Sequence, residues 1–309
     1  MSEKKIAVIG YGYWGRNHAR VLDELNSLSG VYDPFYEIKN DSHIKFFKNI
    51  EELLQNSNAA IIATPATTHF DLAKSLIESI DLLIEKPMAM SVVECLELEK
   101  LAETNKRIVM VGHQLHFHPA IQEIKKIVKE GLIGEIKYLY SNRLNMGKIR
   151  IAENVLWSFA PHDISLILDI VNSEVSNINI HGTKIINLNV EDATLTSLSF
   201  KNNINAHIFV SWFHPFKEQR FVVVGNKGTL VFTDSIETNK LLHYKTKLTQ
   251  ENFEVENHES NIIDYEQSEP LKNQANYFIN AISTRICEIN NVSHGRKVVE
   301  VLEKSSELL

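Results

Sequence analysis

Residues 5–19 read KIAVIGYGYWGRNHA, an apolar run that enters a Gly-x-Gly-x-x-Gly turn and continues into a helix-forming segment. Gly10 permits the tight turn, Gly12 lets a pyrophosphate approach the backbone, and Gly15 lets the helix pack close to the strand. The free N–H groups at the start of such a helix point toward the phosphates. The stretch therefore predicts a dinucleotide-binding site.

An acidic residue stands where the ribose of the dinucleotide is expected. Asp33 follows the apolar pair Val31-Tyr32 and lies 23 residues after Gly10. Its carboxylate can accept hydrogen bonds from a ribose 2′-hydroxyl and repels a 2′-phosphate, which favours NAD over NADP. The alternative is a glycine-rich turn in an unrelated α/β protein.

Composition limits the other classes of function. The chain has 309 residues, enough for two domains, and a net charge of −7, which excludes a nucleic-acid partner held by overall attraction. Its two cysteines lie far apart and provide neither a disulfide framework nor a cysteine metal cluster. With no signal peptide and no apolar run of about 20 residues, we expect a cytoplasmic protein without a membrane partner.

The first third of the chain alternates apolar strands with helices, which predicts a mostly parallel sheet. Ligands bind beyond the carboxyl ends of such strands. Besides the glycine turn and Asp33, this rim would carry Thr64-Pro65, Glu85-Lys86-Pro87 and Gly112-His113. We expect a Rossmann domain over residues 1–115.

A different pattern begins at about residue 116. Residues 204–213 alternate with period two, and 221–224 and 229–232 flank a Gly-Asn-Lys-Gly turn typical of an antiparallel hairpin. Residues 163–171 predict a helix, 246–269 an irregular stretch, and the chain after about 273 further helices. We therefore expect an α+β domain with a largely antiparallel sheet over 116–309, and leave open that its C-terminal helices pack back on the first domain.

The glycine turn, Ala63-Thr-Pro65 with His69, Glu85-Lys86-Pro87 and the strand-rich second domain resemble the Gfo/Idh/MocA oxidoreductases. Residues 141–150 (SNRLNMGKIR) and 153–164 (ENVLWSFAPHDI) resemble the UDP-N-acetylglucosaminuronate 3-dehydrogenase-like subgroup. The resemblance implies oxidation of the C3 hydroxyl of a UDP-linked 2-acetamido sugar with a C6 carboxylate, supplying surface-polysaccharide or glycan precursors. It also implies NAD as cofactor, 2-oxoglutarate as a candidate for its recycling, and a homodimer or homotetramer.

Two residues are the predicted catalytic pair. Lys86 would bind the reacting oxygen and stabilise the developing alkoxide, while His162 would accept the hydroxyl proton. Glu85 would orient Lys86, contact the nicotinamide ribose, or serve only as an ion-pair partner. The family usually places an aspartate four residues before the histidine, where this chain has Ser158. The predicted cofactor residues are Gly10, Gly12, Tyr13, Trp14, Gly15, Asp33, Thr64, Pro65, His69, Glu85 and Lys86.

The predicted substrate residues include two arginines, which pair well with the carboxylate and phosphates of a UDP-uronic acid. The alternative for this polar stretch is a solvent-facing strand and loop. Besides Lys86 and His162, the predicted substrate residues are His113, Asn142, Arg143, Asn145, Arg150 and Trp157.

For Asp163 we expect a favourable charge at a helix start. We expect His113, His116 and His118 to hold no metal. Two other functions stay open: a dehydrogenase or ketoreductase for another sugar or cyclic polyol, and a non-catalytic nicotinamide-binding sensor.

Overall fold

A computed structural model describes residues 5–37, 43–147, 153–186, 188–238, 240–245, 247–249, 254–256 and 260–309. The chain divides into two compact units. The first comprises Met1–Phe117 and Ser268–Glu300, and the second comprises His118–Gln267 and Val301–Leu309. The segment 268–300 thus belongs to the first unit, although most of the second unit precedes it in sequence.

The strands are β1 Ile6–Ile9, β2 Leu28–Tyr32, β3 Ala59–Ile62, β4 Asp81–Ile84, β5 Val109–Val111, β6 Ile136–Met146, β7 Val175–Thr183, β8 Ala193–Phe200, β9 Asn205–Ser211, β10 Phe213–Gly225, β11 Gly228–Thr233, β12 Leu241–Lys245, β13 Lys247–Thr249, β14 Glu254–Glu256 and β15 Ser260–Ile262. The helices are α1 Tyr13–Glu24, α2 Ile50–Asn56, α3 His69–Leu76, α4 Val92–Thr104, α5 Pro119–Lys129, α6 Val155–Phe159, α7 Pro161–Val171, α8 Pro270–Thr284 and α9 Val292–Ser306. Over the described residues, none of these helices is long and apolar enough to cross a membrane.

The first unit contains a parallel sheet in the order β2-β1-β3-β4-β5. Strands β1, β3 and β4 are buried along their whole length, as expected of strands covered on both faces. Helix α8 contributes Leu271, Phe278 and Ile282 to the same core as β1 and α1. The prediction of a Rossmann-type parallel sheet is confirmed.

Side-chain hydrogen bonds cap the start of helix α4 in this unit. Ser91 caps α4 by accepting the N–H of Glu94, whose carboxylate in turn accepts the N–H of Ser91. This is a reciprocal capping box, and the Ser-x-x-Glu spacing of residues 91–94 is its sequence signature. The start of α4 is therefore determined by residues that are local in the sequence.

The second unit contains an eight-stranded sheet in the order β15-β12-β11-β10-β6-β9-β8-β7. All neighbouring strands are antiparallel except β6 and β9. The predicted hairpin forms with Phe221 opposite Phe232 and Val224 opposite Thr229. Alternate residues of β9 are buried on the face that contacts α6 and α7. The largely antiparallel second domain is confirmed.

The irregular stretch expected over 246–269 is confirmed over residues 263–269, which form neither helix nor strand, but is wrong where short strands form. Strands β13 and β14 pair antiparallel, and β15 pairs with β12 at the edge of the large sheet. An edge strand of three residues gains its backbone hydrogen bonds from one neighbour and buries no apolar side chain. Its polar sequence therefore carries no alternation from which a strand can be predicted.

Candidate cofactor and active site

The glycine turn between β1 and α1 has the geometry that its sequence predicts. Gly10 has a φ of 89°, and a Cβ atom there would lie 2.9 Å from the Ala63 carbonyl oxygen. A Cβ atom on Gly15 would lie 1.9 Å from the Gly10 carbonyl oxygen, so only glycine permits this approach of helix to turn. Around Gly12, by contrast, the described residues leave the Cβ direction open for 4 Å, which suits a ligand against the backbone.

The start of α1 suits an anionic group. In this described helix, the Gly12 cap has no side-chain hydrogen bond and the first turn has no acidic residue. The first N–H groups and the positive end of the helix dipole therefore face no carboxylate from the first turn of the helix itself. The pyrophosphate of a dinucleotide fits this arrangement, with Tyr13 and Trp14 in the first turn.

Asp33 is held in a defined orientation just after β2. Its Oδ2 accepts the N–H of Tyr11 at 2.7 Å and its Oδ1 accepts the N–H of Phe35 at 2.9 Å. Each carboxylate oxygen has a further lone pair that can accept a ribose hydroxyl. The fixed carboxylate thus fits the ribose of NAD.

An aromatic cluster beside Asp33 was missed by sequence reasoning. Tyr36 stacks on Phe46 at 5.4 Å, Tyr11 packs edge-on against both rings, and the Arg16 guanidinium lies 5.6 Å from the Tyr11 and Tyr36 ring centres. Flat aromatic and guanidinium surfaces suit a purine ring. Only the aromatic residues around the turn hinted at the cluster, because their convergence depends on the tertiary fold.

The segment Glu85-Lys86-Pro87 follows directly after β4, at the same rim of the sheet. Glu85 is buried, and its Oε1 lies 2.8 Å from Nε2 of His18 on α1. Its Oε2 accepts the N–H of Lys86 at 3.2 Å. Burial opposes ionisation of Glu85, but His18 and the Lys86 charge outweigh it and hold the pKa of Glu85 below its usual value.

His69 contacts two of the segments that follow the strands of the parallel sheet, Thr64-Pro65 and Glu85-Lys86-Pro87. Its Nδ1 lies 2.7 Å from the carbonyl oxygen of Pro87, and its Nε2 lies 3.0 Å from that of Thr64. Burial lowers the pKa of His69, so the ring is neutral near pH 7 and donates to one carbonyl at a time. This geometry makes His69 a support for Thr64-Pro65 and Pro87.

The histidines after β5 separate into two environments. The rings of His113 and His116 lie 6.2 Å and 5.4 Å from that of His294, all within the first unit. Burial, with the charges of His294 and Lys86, holds the pKa of His113 well below its usual value. His118 instead accepts the N–H of Ala120 and caps α5. In the described portion of the chain no cluster of ligands could hold a metal ion.

In the second unit, His162 is the second residue of α7 and is buried. Ser158, four residues earlier on α6, is buried as well. Asp163 receives two hydrogen bonds from the Arg143 guanidinium, from Nε at 2.7 Å and from Nη2 at 3.1 Å. Burial opposes the charged guanidinium, but Asp163 outweighs it and raises the pKa of Arg143.

Two of the predicted substrate residues on β6 point to opposite faces of the sheet. Arg143 faces α7 through its pair with Asp163, whereas the Asn142 amide donates to Glu218 of β10 at 2.9 Å. Successive residues of a strand alternate between faces, so the structure does not bring these two side chains together. Asp163, expected only as a helix-start charge, is also the partner of a buried arginine.

The remaining predicted substrate residues differ in their surroundings. The Trp157 indole N–H donates to Ser306 Oγ at 2.8 Å, which ties α6 to the end of α9. The Oδ1 of Asn145 is buried and has no hydrogen-bond partner among the described residues. Arg150 lies outside the described residues.

Family models match both units of the chain. The GFO_IDH_MocA model, an oxidoreductase family with an NAD-binding Rossmann fold, matches residues 4–113, and the GFO/IDH/MocA C-terminal domain matches residues 121–231. The chain belongs to the Gfo/Idh/MocA oxidoreductase family. It is therefore an oxidoreductase whose first unit binds NAD, and the predictions of family, enzyme class and cofactor are confirmed.

Individual relatives in the Gfo/Idh/MocA family act on different substrates. UDP-N-acetylglucosamine 3-dehydrogenase from Acidithiobacillus ferrooxidans is 28% identical over 200 residues, 63% of each chain, so the match spans less than two thirds of that relative. A solved structure of that enzyme has a TM-score of 0.89 at 22% identity and covers 100% of this chain and 98% of the other, which shows a shared fold. The scyllo-inositol 2-dehydrogenase (NAD(+)) from Bacillus subtilis is 26% identical over 251 residues, 73% of this chain and 72% of that protein.

Asp33 gives a direct test of cofactor preference. Asp33→Asn keeps the shape of the side chain and removes the charge that repels a 2′-phosphate. We expect the NAD-to-NADP affinity ratio, measured by titration calorimetry, to fall by about tenfold or more, which corresponds to ~1.4 kcal/mol. Asp71→Asn, an exposed carboxylate on α3, is the matched control and should leave the ratio unchanged. Equal affinity of the wild type for both cofactors would contradict the role given to Asp33.

Proposed function

We propose that this protein uses NAD to oxidise the C3 hydroxyl of a UDP-linked 2-acetamido sugar to the 3-keto sugar. The observation that carries the proposal is the 28% identity over 200 residues to a UDP-N-acetylglucosamine 3-dehydrogenase. The product would be a precursor for a surface polysaccharide or another glycan.

The chemistry requires loss of a hydride and of a proton. NAD accepts the hydride, and the protein must take the proton and stabilise the alcohol oxygen as charge develops. We assign the oxygen to Lys86, whose segment is supported by His18 and His69, and the proton to His162, whose imidazole suits transfer near neutral pH.

Two candidate groups remain for C6 of the sugar, a carboxylate and a hydroxyl. The expected C6 carboxylate depends on Arg143 and Arg150, and the bidentate pair with Asp163 already neutralises Arg143. UDP-N-acetylglucosamine, with a hydroxyl at C6, therefore stands beside UDP-N-acetylglucosaminuronate as a candidate. A dehydrogenase for a cyclic polyol is the second candidate function, supported by the similarity to the inositol dehydrogenase.

A substrate panel tests this assignment. We expect UDP-N-acetylglucosamine or its uronate to form the 3-keto product, followed by mass spectrometry as loss of one hydrogen molecule. Free N-acetylglucosamine lacks the UDP anchor and should react far more slowly, since a lost charged hydrogen bond costs about 1.5–3 kcal/mol. Parallel reactions contain 2-oxoglutarate, so that turnover with a recycled cofactor is detected. Oxidation of inositol alone would replace the nucleotide sugar with the polyol.

We also propose that a second copy of the chain covers the open face of the large sheet. The strand registers place Tyr138, Leu195, Tyr244 and Ile262 on the face opposite α6 and α7, and all four are exposed. Several large apolar side chains on one face are typical of an interface. A homodimer would bury them, and two such dimers would form a homotetramer.

A further inference from the structure

A buried histidine outside the predicted site connects two parts of the first unit. His18 lies on α1, six residues after Gly12, and is almost fully buried. Its Nε2 lies 2.8 Å from Oε1 of Glu85, which directly precedes Lys86. A polar ring on the buried face of a helix is favourable only when it has such a partner.

The Glu85 carboxylate is enclosed on several sides. Oε1 contacts His18, Oε2 accepts the N–H of Lys86, and a Cβ atom at Gly112 would come within 3.0 Å of the carboxyl carbon and both oxygens. Glycine at position 112 therefore provides the space for the carboxylate. The contact with His18 restrains the carboxylate, and the hydrogen bond to Oε2 joins the Lys86 backbone to it.

We propose that His18 is a positioning residue for Lys86, acting through Glu85. Helix α1 begins at the turn that binds the cofactor phosphates, so the His18–Glu85 contact would hold the lysine segment in register with bound NAD. The catalytic importance of this position rests on the role that the proposed function gives to Lys86. A misplacement of about 1 Å in a reacting group can cost on the order of 100-fold in rate.

Two substitutions separate this role from packing. His18→Leu fills a similar volume but removes the partner of the buried Glu85 carboxylate. His18→Gln instead carries an amide N–H that can donate to the same carboxylate. With NAD and sugar saturating, we expect His18→Leu to lower kcat by about tenfold or more, with the KM for sugar and the Kd for NAD within about threefold of wild type. Intrinsic tryptophan fluorescence reports NAD binding, and His18→Gln should recover most of kcat.

A second readout needs no substrate. Acetylation of Lys86 by acetic anhydride, followed by peptide mass spectrometry, reports the surroundings of its amine. In Glu85→Gln we expect labelling of Lys86 to rise by about threefold or more, because the amine loses a neighbouring anion. In His18→Leu we expect labelling to change by about threefold or more, because the Glu85 carboxylate stays but is no longer held by the imidazole. Lys74, an exposed lysine on α3, is the internal standard and should not change.

These outcomes separate the two proposals. If the wild type oxidises no sugar but labelling of Lys86 responds as expected, the proposed function fails and the positioning contact stands. Unchanged labelling and kcat in a folded His18→Leu protein would overturn the positioning role. Equal impairment of His18→Gln and His18→Leu would overturn it as well, because the hydrogen bond would then not matter. Should His18→Leu fail to fold, Glu85→Gln and His18→Gln decide by the same labelling measurement.

Discussion

Lys86→Met is expected to lower kcat by about 100-fold or more while the protein still binds NAD. Methionine keeps most of the apolar stem but has no ammonium group to bind the reacting oxygen or stabilise developing negative charge. Loss of positioned acid–base assistance typically costs about 10²–10⁴ in rate. Steady-state kinetics on the sugar accepted by the wild type give kcat, and fluorescence titration gives the Kd for NAD.

The matched control is Lys74→Met. Lys74 belongs to the same unit and forms an exposed ion pair with Glu97, so its loss should leave kcat and NAD affinity unchanged. Turnover of Lys86→Met at the wild-type rate would remove Lys86 from the chemistry. In that case His113, buried at the end of β5, would be the next residue to test.

The first unit is predictable because its determinants are local in sequence. The spacing of Gly10, Gly12 and Gly15 specifies the turn, the tight contact and the helix approach within six residues, and Asp33 follows the next strand. Each of these positions has a steric or hydrogen-bonding requirement that few residue types satisfy. The structure consequently agrees with the sequence at the glycine turn, in the parallel sheet and at the capping box of α4.

The contacts of the candidate site are less predictable because they join distant residues. His18 and Glu85 are 67 positions apart, and neither residue alone indicates the other. Likewise Arg143 suggests an anion, but only the fold shows that Asp163 supplies one. A sequence motif thus identifies residues able to do the chemistry, whereas tertiary packing determines which of them are already paired.

The Arg143–Asp163 pair yields the second large effect, on stability. Both side chains are largely buried, so Asp163→Leu leaves a guanidinium without its partner and should lower the free energy of unfolding by about 3–5 kcal/mol. Arg143→Met leaves an unpaired buried carboxylate and should destabilise the fold comparably. Replacing both partners together removes both charges, and we expect the double variant to recover most of the loss. Urea unfolding of the three variants measures these differences.

The same variants test whether Arg143 also serves the substrate. If the arginine only supports α7 and the His162 that precedes Asp163, the stable double variant should keep the wild-type KM for the sugar. A double variant that is stable but has a raised KM would instead show that the guanidinium contacts an anionic group of the substrate as well. Lys137→Met, which removes an exposed pair with Glu135, is the control and should change neither stability nor KM. Additive destabilisation in the double variant would contradict the buried pair itself, because each charge would then be satisfied without the other.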